Sequence, residues 1–197
     1  MSTKSKSHFQ FYYSVIAVSA LLSFGIVSST HSRPLNLYLS GGISDPSGEL
    51  ANAMEVGYHG AAKMGIQLEP RTEFLFGGEF HSMPTDHNRL PTVSSDFRAI
   101  MVGFDVKINV GIPEDPIVPY LLVGGGYANI DFTDTLTQIT SGNTFKADSD
   151  SQSYFEIGGG FELKRAFMMV RFANIFTEQA DGRFISIGIG YKLSLVP

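Results

Sequence analysis

IMVGFDVKINV, residues 100–110, alternates without a break. Ile100, Val102, Phe104, Val106, Ile108 and Val110 fall on one side, and Met101, Gly103, Asp105, Lys107 and Asn109 on the other. A period of two belongs to a β-strand, whose successive side chains point to opposite faces. A helix, with 3.6 residues per turn, would mix the two sets. The stretch FISIGIGYKL at 184–193 repeats the pattern, with Ile185, Ile187, Ile189, Tyr191 and Leu193 against Ser186, Gly188, Gly190 and Lys192.

Working outward from these two, eight alternating segments run from Leu35 to the end, and none of them has helical periodicity. Val56 to Glu69 sets Tyr58, Ala62, Met64 and Ile66 against His59, Lys63 and Gln67, and the next segment sets Phe74, Phe76 and Phe80 against Glu73, Leu75, Glu79 and His81. Phe155, Ile157, Phe161 and Leu163 oppose Glu156, Gly158, Gly160 and Glu162, while Met168, Val170, Phe172 and Phe176 oppose Arg171. The connections alternate as well. SDPSGELANAME, SMPTDHNRLPTVSSD, the stretch Thr133–Gln152 and TEQADGR are long; the turns near Pro70-Arg71 and Arg165-Ala166 and the segment IPEDPIVP are shorter. Long connections at one end and short ones at the other are the mark of an up-and-down antiparallel barrel that crosses a membrane with an even number of strands. The expected fold is an all-β, eight-stranded antiparallel transmembrane β-barrel over residues 33–197.

Which face meets which solvent follows from size. An eight-stranded barrel has an interior just wide enough for side chains or one small ligand. The bulky face, with Ile100, Val102, Phe104, Val106, Ile108, Ile185, Ile187, Ile189 and Tyr191, is therefore expected to meet lipid. The other face, rich in Gly and Ser, is expected to line the lumen with Lys63, Glu79, Asp105, Lys107, Glu156, Glu162, Arg171 and Lys192. Symmetric pairing about Arg71 would set Lys63 opposite Glu79, and pairing about Arg165-Ala166 would set Gly160 opposite Arg171, with Glu162 on the diagonal. Charges of both signs in so narrow a space need one another, because an unpaired buried ion is very costly. The expectation is a salt-bridge plug that fills the barrel; a gated polar pore is the competing reading.

Composition narrows the function. The 197 residues are 43% hydrophobic and only 17% charged, against roughly 25% in soluble domains. The net charge of −5 and the absence of any basic run argue against nucleic acid as a partner. No cysteine is present, which removes disulfides, thiolate metal sites and cysteine nucleophiles. Lys4 and Lys6, followed by the uncharged FYYSVIAVSALLSFGIV at 11–27 and the small polar SSTHS, form the pattern of an export signal over residues 1–32. Ser14, Ser19, Ser23 and Gly25 dilute it as a membrane-spanning helix.

PYLLVGGGYANIDF at 119–132, YFEIGGGFEL at 154–163 and the closing FISIGIGYKL resemble the small outer-membrane β-barrel family, the porin-like group that includes OmpA-, OmpX-, OmpW- and opacity-type proteins. The resemblance covers nearly all of residues 33–197 and speaks for architecture, not chemistry. It implies the bacterial outer membrane as location, outer-membrane lipid and the assembly machinery as partners, and a monomer. Such barrels usually end on an aromatic residue, whereas this chain ends Leu195-Val196-Pro197, so either Tyr191 serves in its place or the host reads a different signal.

Catalytic signals are weak. His59 and His81 would face inward near the outer mouth, with Ser82 and Glu55 nearby, which suggests a His–Ser–Glu hydrolase or a metal site only on paper. A lipid-modifying enzyme needs a serine that lipid can reach, and inward histidines do not provide one. The GGG runs at 124–126 and 158–160 precede no helix and are not phosphate loops. ADSDSQ at 147–152 lacks the Gly and closing Glu of a calcium loop. The reading is therefore non-enzymatic, with no cofactor and no metal. Activity is expected in the outward loops around 44–57, 82–95, 133–152 and 177–183, through adhesion, surface recognition or a structural role, with an extracellular ligand at the loops. The alternative is a narrow channel for small or hydrophobic solutes, and behind it stand a lipid-modifying enzyme and a soluble lipocalin-like carrier.

Overall fold

In the computed structural model, the described residues are 33–88, 96–112, 115–132, 136–137, 144–145, 150–176 and 182–196. The expected export signal, residues 1–32, lies outside them, as do parts of three of the four long connections. Eight long strands form: β1 (Leu35–Ser47), β2 (Gly57–Glu69), β3 (Thr72–Met83), β4 (Phe97–Asn109), β5 (Val118–Phe132), β6 (Asp150–Leu163), β7 (Ala166–Ile175) and β8 (Gly182–Val196). Each pairs antiparallel with its neighbours in sequence, and β1 pairs with β8 to close the barrel. Closure leaves no open sheet edge, as a wall without water around it requires. Between β5 and β6 a two-residue ladder joins Leu136–Thr137 to Thr144–Phe145.

The alternation in β4 becomes a division between wall and lumen. Ile100, Val102, Phe104 and Ile108 are exposed, Val106 is half-buried, and Ala99, Met101, Asp105 and Lys107 between them are buried. On β8, Ile185, Ile187, Ile189 and Tyr191 are likewise outside, with Ile189 at 67% exposure, while Phe184 and Ser186 are inside. The inner face is not built only of small and charged groups, however. Phe97, Phe184, Met83, Met101, Tyr154 and Ile175 pack together inside the end that carries the long connections. Tyr38, Leu75, Tyr120, Leu122, Phe167 and Met169 form a second apolar cluster further along the lumen. Bulk therefore lies on both faces; glycines opposite the large side chains make the room. A Cβ at Gly190 would strike the ring of Phe167, and one at Gly124 would strike the Asp105 carboxylate.

The registers differ from symmetric pairing about the sequence turns. Lys63 stands opposite Gly77, and Ala61 opposite Glu79, because Pro70-Arg71 is a two-residue turn and a bulge absorbs Leu68 next to it. In the β6–β7 hairpin the loop is Lys164-Arg165, with Leu163 paired to Ala166. Arg171 consequently faces Gly158, not Gly160. This loop requires a left-handed residue, and Lys164 supplies it at φ 57°.

The connection between β1 and β2 turns inward. A short 3-10 turn at Leu50–Asn52 leads to Met54, which bridges to Thr85 and packs, buried, on the outer apolar cluster. Glu55 N–H donates to the Pro84 carbonyl at 2.8 Å, and Asp86 N–H to the Ala53 carbonyl at 2.9 Å. The left-handed backbone at Lys164 carries a testable cost. Lys164→Gly is expected to raise barrel stability by up to about 1 kcal/mol and Lys164→Val to lower it by about 1–2 kcal/mol, read from urea unfolding in detergent.

Candidate functional site

All eight charged residues expected in the lumen are on its inner face, and they sort into two tiers. In the middle of the barrel, Lys63 on β2 reaches Glu79 and Asp105 at 2.5 Å each and Glu156 at 3.0 Å. Arg171 on β7 binds Glu79, and Glu156 at 3.0 Å, through the same Nη1. Nearer the short turns, Lys107 on β4 binds Glu162, and Glu73 at 3.3 Å. Lys192 on β8 closes this tier, 3.4 Å from Glu162 and 3.9 Å from Glu73. The diagonal from Arg171 to Glu162 that symmetric pairing suggested is not made. A shift of register by one pair moves Arg171 to the other tier, onto Glu79 and Glu156.

Neutral groups complete both tiers. The Tyr38 hydroxyl donates to Glu73 at 2.5 Å, and the Asn36 amide donates to the other Glu73 oxygen at 2.8 Å. Lys107 also lies over the rings of Tyr38 and Tyr120, at 5.3 and 5.1 Å from their centroids. Between the tiers is a cavity of about 30 Å³, bordered by Tyr38, Lys63, Lys107, Tyr120 and Arg171, which is room for a water molecule or two and not for a solute.

The two histidines lie inside the barrel, but with different companions from those expected. Their rings stack at 5.3 Å, and both Nδ1 atoms are hydrogen-bonded to Ser44 Oγ, at 3.3 Å for His59 and 2.9 Å for His81. Ser44 in turn meets Ser186 at 3.2 Å, and His81 Nε2 donates to Glu79 at 3.3 Å. Ser82 and Glu55 are not the polar partners; Glu55 is exposed at the rim. Ser44 is fully buried beneath the outer apolar cluster, where no lipid substrate could reach it. The serine–histidine–carboxylate arrangement thus holds β1, β2, β3 and β8 together. Ser44, Ser186, Tyr38 and Glu73 escaped the sequence reading of the network. Parity would have found Glu73, which shares its face of β3 with Glu79; nothing in the spacing singles out the two serines.

Among the described residues no group of three or more His, Cys, Asp or Glu side chains could hold a metal ion. Residues 147–149 of the acidic loop stretch lie outside the described residues.

Solved structures share this architecture. Neisserial surface protein A superposes with a TM-score of 0.56 over 82% of this chain and 97% of its own, at 11% sequence identity. The fold is that of the small outer-membrane β-barrels. Ail, the attachment invasion locus protein of Yersinia pestis, solved with the heparin analogue sucrose octasulfate, covers 82% of this chain and 100% of its own, with a TM-score of 0.50 and 12% identity. No protein-family model matches the sequence, and no curated protein does. At such identities the likeness is one of fold, and the lumen must be argued from its own residues.

Within this barrel, removing one member of a buried ion pair leaves its partners uncompensated. Arg171→Met is expected to cost about 3–5 kcal/mol, whereas Lys192→Met, at the partly exposed edge of its tier, is expected to cost about 1 kcal/mol or less. Urea midpoints of the two refolded variants check the ranking.

Proposed function

We propose that the chain is exported by its N-terminal segment and resides in the outer membrane of a bacterium with two membranes, as a closed, monomeric, non-enzymatic barrel that displays its long connections outside the cell. The observation that carries this reading is the filled lumen. Among the described residues, two tiers of ion pairs and two apolar clusters fill it, and the cavity between the tiers has room for a water molecule or two. The outer wall supports the lipid contact. Ile100, Val102, Phe104, Ile108, Ile185, Ile187, Ile189 and Tyr191 are all exposed there, in a band that water would penalise and hydrocarbon would not.

With the lumen closed, recognition falls to the loops. The windows 44–57, 82–95, 133–152 and 177–183 carry nine acidic side chains against three Lys or Arg. Such a surface favours a cationic partner over a sulfated one through its field. Ail shows that a barrel of this fold can be solved with a bound polyanion analogue. The acidic loops here point to the opposite charge.

Refolded in detergent, the chain is expected to run as a compact band unboiled and to shift on boiling. In a planar bilayer it should give no steady conductance. Exchange of Asp45, Glu49 and Glu55, which carry half of the net negative charge of these windows, for Asn, Gln and Gln should keep the band shift and weaken salt-sensitive capture on cationic beads. A steady ohmic conductance would establish the channel reading instead. A monomer that stays in plain buffer would establish the soluble carrier.

A further inference from the structure

The two tiers differ in charge balance. Near the short turns, Glu73 and Glu162 face Lys107 and Lys192, two against two. In the middle tier three carboxylates, Glu79, Asp105 and Glu156, face only Lys63 and Arg171. Lys63 Nζ and Arg171 Nη1 each bind both Glu79 and Glu156, so these four groups alternate around a closed, electrically neutral ring. Asp105 joins that ring only through Lys63, and its Oδ1 has no hydrogen-bond partner among the described residues. All five side chains are more than nine-tenths buried.

One negative charge is therefore in excess at a site buried away from bulk solvent. Leaving it so is strongly unfavourable, because a buried ion without a partner loses its hydration and gains nothing in return. A buried carboxylate group without its own cation takes up a proton instead, and carboxylates that share one site do so as a set. We propose that the middle tier of the lumen is a proton-binding site, in which the Glu79–Asp105–Glu156 triad holds one proton at neutral pH.

The groups that face this triad come from all around the barrel. His59 and Lys63 stand on β2, His81 on β3, Tyr120 on β5, Tyr154 on β6 and Arg171 on β7; β1 and β8 contribute the neutral Ser44 and Ser186. Of the two histidines, His81 touches the ring at Glu79. The two stack on each other and share one serine hydroxyl, so a charge on both would set two cations ring to ring beside Arg171. A proton on His81 would fall to Glu79, which already binds both cations, and would leave Asp105 Oδ1 without a partner, so the proton is placed on the carboxylates. The barrel holds it through neutral pH and releases it under alkaline conditions; the same carboxyl is ionised in the unfolded chain from mildly acidic pH upward, so stability falls across that whole range and levels off once the proton is gone.

Infrared spectroscopy of the refolded full chain in detergent reads this directly. At pH 7 the spectrum should contain the carbonyl band of a protonated carboxylic acid, and the thermal unfolding midpoint should fall from mildly acidic pH up to the alkaline pH at which the band is lost. Glu156→Gln and Asp105→Asn each remove one negative charge while keeping the shape. Either should erase the band and flatten that fall. Glu162→Gln, in the balanced tier, should leave both in place. Absence of the band from the unaltered protein at pH 7 overturns the proposal, with no variant needed. So does persistence of the band in both middle-tier amides. Stability that rises with sodium or potassium, with no acid band, would mean that a metal cation balances the site, and would overturn it too.

Discussion

Lys63 and Arg171 bind Glu79 and Glu156 in a ring of alternating charge at the centre of the barrel, and the rest of the molecule is arranged around that ring. Its members come from β2, β3, β6 and β7, on opposite sides of the lumen. A buried ion pair contributes little net stability over an apolar replacement, but a broken one is severely destabilising. The ring therefore acts less as glue than as a constraint on alternatives. Any slip of register by one residue would turn one of these charges outward into the apolar wall.

The same logic explains the rest of the interior. The tier near the short turns holds Glu73 with Tyr38 and Asn36, so both carboxylate oxygens have donors besides the lysines. Above the middle tier, the Ser44 hydroxyl meets the Nδ1 of two histidines and the hydroxyl of a second serine. Met54, carried inward by the β1–β2 connection, packs over the outer apolar cluster. The barrel is a packed core turned inside out: charge in the middle, hydrocarbon on the outside, and apolar clusters that keep water from the ions.

Much of this was legible before any coordinates. The alternation of Ile100 to Val110 and of Ile185 to Leu193 specified strands, and the long and short connections specified the up-and-down order. The eight lumen charges were readable from parity, since the pleat leaves a residue only two directions. What parity could not supply was register. The positions of the Lys164-Arg165 loop and of the bulge at Leu68 depend on local backbone geometry, and each moved its strand pairing by a pair of residues. Parity also misjudged size, for Phe97, Phe167 and Phe184 sit in the lumen that small side chains were expected to line.

The sequence by itself determined that this chain forms eight antiparallel strands with an apolar and a polar face, because that pattern is a property of neighbouring residues along one strand. Only the tertiary structure decided which charges meet. Lys63 and Glu156, or Arg171 and Glu79, are 93 and 92 residues apart and become partners through closure of the barrel and the registers of several ladders together. The three-to-two imbalance of the middle tier arises in the same way: alternation along a strand says that a charge points inward, and only the closed circuit of strands says at what height it stops and which charges it finds there.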